Sequence, residues 1–230
     1  MLRSVFEKII SKKKNKIFKF DESLKTVTLI MFLMQKVFEL IRGFKIILYL
    51  KKPTTLFLGR NVRFFCTSNI VFGNFVSLAD YCYLSGMGKG KLILGNGVSI
   101  GAFSRLVVST TFNNLGSHIH IGNNVGIGEY SRVGGSGGVE IGDDTIIAQY
   151  FSAHPENHVI EDTDTLIRHQ GTTRKKIVIG KNCWLGSKVT VLSGVIIGDN
   201  SIVGAGSIVT KDIPPDSIAA GNPAKVIRSR

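Results

Sequence analysis

The chain has 230 residues, enough for one large domain with an appendage and too few for a long modular assembly. Its 26 glycines against 5 prolines indicate many tight bends, without the composition of collagen or of a disordered linker. The formal net charge is +13, and the first 52 residues hold 13 Lys and Arg against 4 Asp and Glu. Most of the basic charge therefore belongs to an N-terminal segment.

Residues 24–50 repeat apolar side chains with the period of a helix, which predicts an amphipathic helix or a pair of helices. One side carries Gln35, Lys36, Glu39 and Arg42. The other side is apolar and consists of Ile30, Leu33, Val37, Leu40, Ile41 and Phe44. We favour packing of the apolar side on the chain's own domain or on a neighbouring subunit. The alternative is a basic peripheral membrane contact through residues 1–52.

No transmembrane helix is predicted. The longest stretch of this segment without a charge, residues 26–35, has 10 residues, whereas a spanning helix needs ~20. Three cysteines, Cys66, Cys82 and Cys183, form neither a CxxC pair nor an even disulfide framework. They favour a reducing compartment and no structural metal.

After Pro53 the sequence changes to a six-residue rhythm. Of 21 marked positions only Gly88 lacks an apolar side chain. The positions are Leu58, Phe64, Ile70, Val76, Cys82, Gly88, Leu94, Ile100, Leu106, Ile121, Ile127, Val133, Ile141, Ile147, Ala153, Ile179, Leu185, Val191, Ile197, Val203 and Val209. A glycine often follows directly. An inward aliphatic followed by a bend, every six residues, predicts an all-β solenoid whose coils stack as parallel sheets.

Three interruptions break the rhythm, at residues 106–121, 133–141 and 153–179. Insertions in solenoids become loops on one face, which is often the binding face. The third interruption is the longest and begins with His154. It also contains titratable side chains at a density found nowhere else in the repeats: His158, Glu161, Asp162, Asp164, Arg168 and His169.

The stretch from Ile141 onwards resembles the hexapeptide-repeat acyltransferases, most closely the maltose and galactoside O-acetyltransferase group and its relatives in polysaccharide synthesis. The matching segments are IGDDTIIAQYFSAHPENH and IGKNCWLGSKVTVLSGVIIGDNSIVGAGSIVTKDIPPDSIAAGNPAKVIRSR. The repeat rhythm extends the likeness back to about Leu58. Residues 1–52 lie outside the resemblance, which leaves them unexplained.

The resemblance implies a left-handed parallel β-helix that assembles as a homotrimer, with active sites in the clefts between subunits. After the basic amphipathic helical segment (1–52), which periodicity predicts, the resemblance implies an acyltransferase domain (53–213) with an active-site loop (154–177) and a C-terminal tail (214–230) that contacts coenzyme A. The implied cofactor is acetyl-CoA, as acyl donor, and no metal is expected.

His154 matches the catalytic position of the family. A neutral imidazole can remove the proton of a sugar hydroxyl as it attacks the thioester, and can later protonate the departing thiolate. Ser187 matches the family's donor to the oxyanion. The group that orients His154 is left open among Glu156, Glu161, Asp162 and a backbone carbonyl, and Glu156 is our candidate.

The implied contacts to coenzyme A lie in the last coils. Trp184 walls the pantetheine channel, and Gly204, Ala205 and Gly206 allow close approach. The remaining positions reach the distal half of the cofactor and its phosphates: Ser187, Thr210, Lys211, Lys225 and Arg228. Lysine at 225 replaces an arginine of many relatives and loses the bidentate fork.

The other histidines and Cys183 have simpler interpretations. His158 and His169 are interpreted as loop residues, with a contact to substrate left open, and Cys183 as a small filler. His118 and His120 alternate along a predicted strand, which places both on its outer face in a structural role.

The leading hypothesis is an enzyme that O-acetylates a sugar hydroxyl on a surface polysaccharide or its lipid-linked precursor, in the cytoplasm or at the inner face of the membrane. The alternatives are an amino-sugar N-acetyltransferase, a zinc hydro-lyase of the same fold and a non-catalytic trimeric scaffold. Nucleic-acid binding is excluded, because no aromatic-interleaved basic motif accompanies the charge.

Overall fold

Three parallel sheets form the faces of a left-handed β-helix in the computed structural model of this chain. The structure describes residues 3, 4, 6–8, 17–52 and 54–230. Part of the predicted basic segment 1–52 and Pro53 lie outside the described residues. Helix α1 (Thr26–Gly43) precedes the coils. Short 3-10 helices occupy Phe44–Tyr49, Thr67–Asn69 and Ile167–His169.

Each turn of the chain adds one strand to each sheet. Sheet 1 consists of β1 (Leu56–Leu58), β4 (Val76–Leu78), β7 (Ser99–Ile100), β10 (Gly126–Ile127), β13 (Ile146–Ile147), β18 (Trp184–Leu185), β21 (Ile202–Val203), β23 (Ser217–Gly221) and β24 (Ala224–Ser229). Sheet 2 consists of β2 (Arg63–Phe65), β5 (Tyr83–Ser85), β8 (Arg105–Val107), β11 (Arg132–Gly134), β14 (Ser152–His154), β19 (Thr190–Leu192) and β22 (Ile208–Val209). Sheet 3 consists of β3 (Ile70–Phe72), β6 (Leu92–Leu94), β9 (Ile119–Ile121), β12 (Val139–Ile141), β17 (Ile177–Ile179) and β20 (Ile196–Ile197).

The core is the column of aliphatic side chains inside the coils. Every apolar member of the six-residue series is buried there. The first coils are longer than that series assumes, because the strand partners Leu58, Leu78 and Ile100 are 20 and 22 residues apart. As a result, Leu58 pairs with Leu78, and Phe64 pairs with Leu84. Val76 and Cys82 are buried as the rhythm predicts, but they are not the residues that stack on Leu58 and Phe64. Later coils shorten to 18 residues, as from Leu185 to Val203.

The glycines that follow the inward aliphatics allow neighbouring coils to touch. A Cβ on Gly95 would lie 2.6 Å from the backbone of Gly122 in the next coil, and one on Gly186 would lie 2.6 Å from the nitrogen of Ala205. The left-handed backbone at the corners is supplied mainly by other residue types. Tyr81 and Tyr150 both have φ of 61°. Close approach between coils, more than positive φ, explains these glycines.

One corner, between sheets 1 and 2, carries a column of stacked aromatic rings. Tyr81, Phe103, Tyr130 and Tyr150 follow one another with centroids 4.9 to 5.1 Å apart and nearly parallel planes. The ammonium of Lys188 lies 6.0 Å from the centre of the last ring. The stack extends the contact between coils from the interior to the surface.

Helix α1 covers the first coil mainly with its polar side, although Leu29 is buried there too. The apolar side therefore does not pack mainly on the chain's own domain, one of the two packings that we favoured, and its packing on a neighbouring subunit stays a prediction. Glu39 and Gly43 are buried, and a Cβ on Gly43 would collide with the carbonyl oxygen of Leu56. The apolar side faces outwards, with Val37, Ile41 and Phe44 more than half exposed. The described part of the chain contains no helix that could span a lipid bilayer.

The polar side fits because the open end of a stacked solenoid presents carbonyl groups that no further coil can pair. Arg42 Nε donates to the carbonyl of Leu58 at 2.7 Å, and Lys45 Nζ donates to that of Val62 at 2.9 Å. Lys51 Nζ donates to the carbonyl of Ser68 at 2.9 Å. Part of the N-terminal basic charge therefore satisfies backbone acceptors at this end.

The other end is covered by the C-terminal segment, which forms a hairpin. Strand β23 pairs in parallel with β21 and antiparallel with β24. The sequence-based tail 214–230 thus adds a last partial coil to sheet 1. Two strands of the longest loop, β15 (Glu156–His158) and β16 (Thr172–Arg174), form a separate antiparallel hairpin.

The residues that cover the N-terminal end of the solenoid, which we call the N-terminal cap (residues 26–52), lead to a stability prediction. Ile46 is 1% exposed within the core, whereas its neighbour Ile47 is 49% exposed. Replacing Ile46 by Ala should lower the free energy of unfolding by about 2–4 kcal/mol, because a buried aliphatic is truncated and a cavity is left. Urea unfolding at fixed protein concentration measures the change, and Ile47→Ala is the control. Equal effects of the two substitutions would contradict the cap.

Candidate active site

His154 is the last residue of β14, at the point where the chain leaves the solenoid for its longest loop. Ala153 points inwards and is buried, so Ser152 and His154 lie on the outer face of sheet 2. Pro155 follows and has no backbone N–H with which to continue the ladder. The sequence-predicted base is thus an exposed imidazole at the end of a strand and at the start of the longest insertion.

The surroundings of His154 favour its neutral form. Partial burial of the ring lowers its pKa below the ordinary histidine value, and the positive charge of Arg132 lowers the pKa further. Arg132 lies on the neighbouring strand, opposite Ser152. A neutral imidazole keeps a free lone pair near neutral pH, which general-base chemistry requires. Sequence reasoning missed Arg132, since the pairing of β11 with β14 depends on coil lengths that the rhythm does not supply.

Glu156 has partners other than His154 in this structure. Its carboxylate accepts hydrogen bonds from Arg174 Nε and, at 3.3 Å, from the hydroxyl of Thr172. Within the described residues, no side chain is hydrogen-bonded to the imidazole of His154. In the single chain, Glu156 therefore does not orient His154 through a hydrogen bond, contrary to the role expected of it.

Arg174 fixes the loop to the body of the solenoid. Besides Glu156, its guanidinium donates to Asn114 Oδ1 at 2.9 Å and to the carbonyl of Leu115 at 3.1 Å. Asn114 and Leu115 belong to the first interruption of the rhythm. Two of the three predicted insertions thus meet beside the outer face that carries His154.

The residues expected to contact coenzyme A lie on another face. The ring of Trp184 is on the outer face of sheet 1 and 54% exposed, between Ile146 and Ile202 in the strand register. The same row continues to Ile218 and, across the C-terminal hairpin, to Arg228. An exposed apolar strip with a cation at its end is therefore built into this face.

The corner beside that strip leaves room for a ligand. Gly206 has φ of +72°, and a Cβ added there would meet nothing within 4 Å. Ala205 is exposed, and Ser187 lies below it with its carbonyl accepting from the nitrogen of Gly206 at 2.8 Å. Packing alone explains the glycine at position 204, because a Cβ there would lie 2.9 Å from the Cβ of Ala220.

The cationic positions are exposed at the C-terminal end. Thr210 and Lys211 follow the last strand of sheet 2, and Lys225 lies opposite Ala220 in the hairpin. No carboxylate pairs with Lys211, Lys225 or Arg228 within the described part of the chain. Exposed, unpaired cations beside an apolar strip fit the phosphates and the pantetheine arm of coenzyme A.

His118, His120 and Glu140 are the one group of three metal-ligating side chains that come together in the described residues. The two rings are 4.4 Å apart, and His118 Nε2 lies 3.1 Å from Glu140 Oε1. Lys176 Nζ also lies 3.1 Å from both oxygens of Glu140. A cation would have to displace this ammonium, so the arrangement agrees better with the structural role expected of His118 and His120.

Comparisons with known proteins agree with the repeat architecture. The family profile described as the hexapeptide repeat of succinyl-transferase matches residues 176–211. Galactoside O-acetyltransferase of Escherichia coli K12 is 43% identical over 117 residues, which are 49% of this chain and 55% of that protein. This chain thus spans about half the length of that relative.

Two solved structures are similar in fold. A hexapeptide-repeat acetyltransferase from Vibrio cholerae, in complex with acetyl-CoA, has a TM-score of 0.51 and 29% identity, covering 59% of this chain and 69% of that chain. A variant of the N-acyltransferase AntD from Bacillus cereus, in complex with dTDP and coenzyme A, has a TM-score of 0.52. It covers 76% of this chain and 81% of that chain, and its 19% identity shows the fold alone.

The stacked hexad coils, the profile match over residues 176–211 and these relatives show that this chain is similar to hexapeptide-repeat acyltransferases.

Proposed function

We propose that this protein transfers the acetyl group of acetyl-CoA to a sugar hydroxyl, on a surface polysaccharide or its lipid-linked precursor. The observation that carries the proposal is His154, an exposed imidazole of lowered pKa at the end of a rigid strand and at the start of the longest loop. The similarity to a galactoside O-acetyltransferase supports a hydroxyl acceptor.

His154 acts as the general base. Its free nitrogen takes the proton of the acceptor hydroxyl while the hydroxyl oxygen bonds to the acetyl carbon. The carbon–sulfur bond breaks, and His154 returns the proton to the thiolate of coenzyme A. Ser187, whose hydroxyl has no hydrogen-bond partner within the described residues, donates to the acetyl oxygen as negative charge develops on it.

The donor lies along the strip on sheet 1. When bound, acetyl-CoA supplies the activated thioester. Trp184 packs against the pantetheine arm, and the open corner at Ala205 and Gly206 admits it next to the backbone. Thr210 and Lys211 meet the distal half, while Lys225 and Arg228 neutralise its phosphates. Gly204 contributes by holding the hairpin close to this corner.

A homotrimer completes the site. His154 lies on sheet 2, whereas Trp184 and Arg228 lie on sheet 1, so a single chain presents the base and the donor strip on different faces. Side-by-side packing of two copies brings the base of one protomer towards the strip of its partner. The group that orients His154, for which Glu156 was the sequence-based candidate, then comes from the loop after rearrangement or from the neighbouring protomer.

The base makes the first functional prediction. Replacing His154 by Ala should lower kcat about 10²–10⁴-fold, the usual contribution of a general base, while His158→Ala should change it little. The assay measures acetyl transfer from acetyl-CoA to matched hexose and amino-hexose acceptors. Transfer to amines alone would support the amino-sugar N-acetyltransferase, and full activity of His154→Ala would remove the histidine from the mechanism.

We further propose that helix α1 holds the protein at the inner face of a membrane, where a lipid-linked acceptor would be presented. Its apolar side is exposed because the polar side covers the solenoid. The surrounding segment 1–52 carries 13 Lys and Arg against 4 Asp and Glu. An apolar helix face flanked by basic charge is the arrangement that binds anionic lipid surfaces.

Vesicle binding tests the membrane contact. The full chain should sediment with vesicles that contain phosphatidylserine, and less so as salt rises. Phe44, on the exposed face, is 56% exposed, and Phe112, in a loop of the solenoid, is 81% exposed. Phe44→Ala should weaken binding about tenfold, since a phenylalanine no longer enters the lipid, whereas Phe112→Ala should not. Equal loss in both variants, or equal binding to neutral vesicles, would contradict the contact.

A further inference from the structure

A row of arginines crosses the outer face of sheet 2. Arg63, Tyr83, Arg105 and Arg132 occupy the same register position on four successive strands. All three arginines are exposed. The row continues to Ser152, two residues before His154 on the same face of the same strand. We call Arg63, Arg105 and Arg132 the arginine row.

The row is electrostatically unfavourable in the protein alone. Arg105 and Arg132 lie directly opposite each other on adjacent strands, and like charges in this position destabilise a sheet. None of the three pairs with a carboxylate within the described residues. Among the described residues, the guanidinium of Arg105 lies 5.0 Å from the centre of the Tyr83 ring. Three unpaired cations in line are best compensated by a bound anion.

The arginine row ends close to the candidate base, His154. Neighbouring strands lie about 5 Å apart and two residues along a strand span about 7 Å, so the backbones of Arg132 and His154 are roughly 8 Å apart. The effect of the Arg132 charge on His154 agrees with this proximity. An acceptor whose hydroxyl meets His154 can therefore reach Arg132 and Arg105 with its other end. The separation suits one pyranose ring and a group attached to it.

We propose that the arginine row binds a phosphate or diphosphate carried by the acceptor sugar, so that the substrate is a phosphorylated sugar and not a neutral one. Guanidinium groups bind phosphate oxygens through two parallel hydrogen bonds, and adjacent arginines match the charges of a diphosphate. This inference rests on the proposed acetyl transfer at His154 and specifies the acceptor class of that site. A nucleoside diphosphate sugar and a lipid diphosphate sugar share the required chemistry.

Inorganic pyrophosphate tests the row without knowledge of the sugar. Calorimetric titration of the full chain should show saturable binding. Arg105→Gln and Arg132→Gln should each weaken it about tenfold, as expected for the loss of a charge-assisted hydrogen bond. Lys91→Gln, which removes an exposed cation from another face, should bind as the unchanged protein does. The double variant Lys225→Gln/Arg228→Gln loses any pyrophosphate that binds at the donor's phosphate site, and it should retain the binding that Arg105 and Arg132 provide.

The outcomes separate this inference from the proposed function. No binding of pyrophosphate, or a loss of binding in the Lys225/Arg228 variant alone, would overturn the arginine row. Failure of acetyl transfer to every hydroxyl acceptor would instead overturn the proposed function, whatever the titration gives. Competition with uridine diphosphate or with geranyl diphosphate in detergent then distinguishes the two sources: the stronger competitor identifies a nucleotide-linked or a lipid-linked acceptor.

Discussion

Stacking between neighbouring coils is the constraint on which the rest of this structure depends. A single coil cannot bury its own aliphatic side chains, so each buries them against the coil above and the coil below. Glycines at the contacts, as at Gly95 and Gly186, let the backbones approach closely enough for the ladder to form. Once the interior is stacked, the outer residues are aligned in rows as well. The arginine row and the strip from Trp184 to Arg228 are consequences of that alignment.

A stacked array also has two ends, and their closure explains the N-terminal charge. Arg42, Lys45 and Lys51 donate to carbonyl groups that no coil pairs. Helix α1 therefore turns Glu39 and Arg42 towards the protein and most of its apolar side chains away from it, the reverse of an ordinary amphipathic helix on a domain. The exposed apolar face follows from the chemistry of the solenoid end. It leaves a surface that a membrane can occupy.

Periodicity predicted the interior of the fold well and its exterior less well. The inward positions, the three insertions and the strand that ends at His154 followed from the six-residue rhythm, because burial imposes that rhythm on the sequence. The length of each coil could not be predicted, because a coil of 20 or 22 residues places its extra residues at corners, where no apolar side chain is required. The alignment of Arg132 with Arg63 and Arg105 could not be predicted for the same reason. The contact between Glu156 and Arg174 could not be predicted either, because the two residues are distant in sequence and the antiparallel hairpin of the loop does not obey the six-residue rhythm.

In the proposed trimer, one protomer supplies the base and its partner supplies the donor strip. A crystal structure of the protein with acetyl-CoA is the sharpest test of this arrangement. We expect a trimer in which the thioester lies within hydrogen-bond reach of an acceptor bound at His154 of one protomer, while the pantetheine arm contacts Trp184 of the partner subunit. Acetyl-CoA bound away from His154, or bound entirely by one protomer, would contradict it.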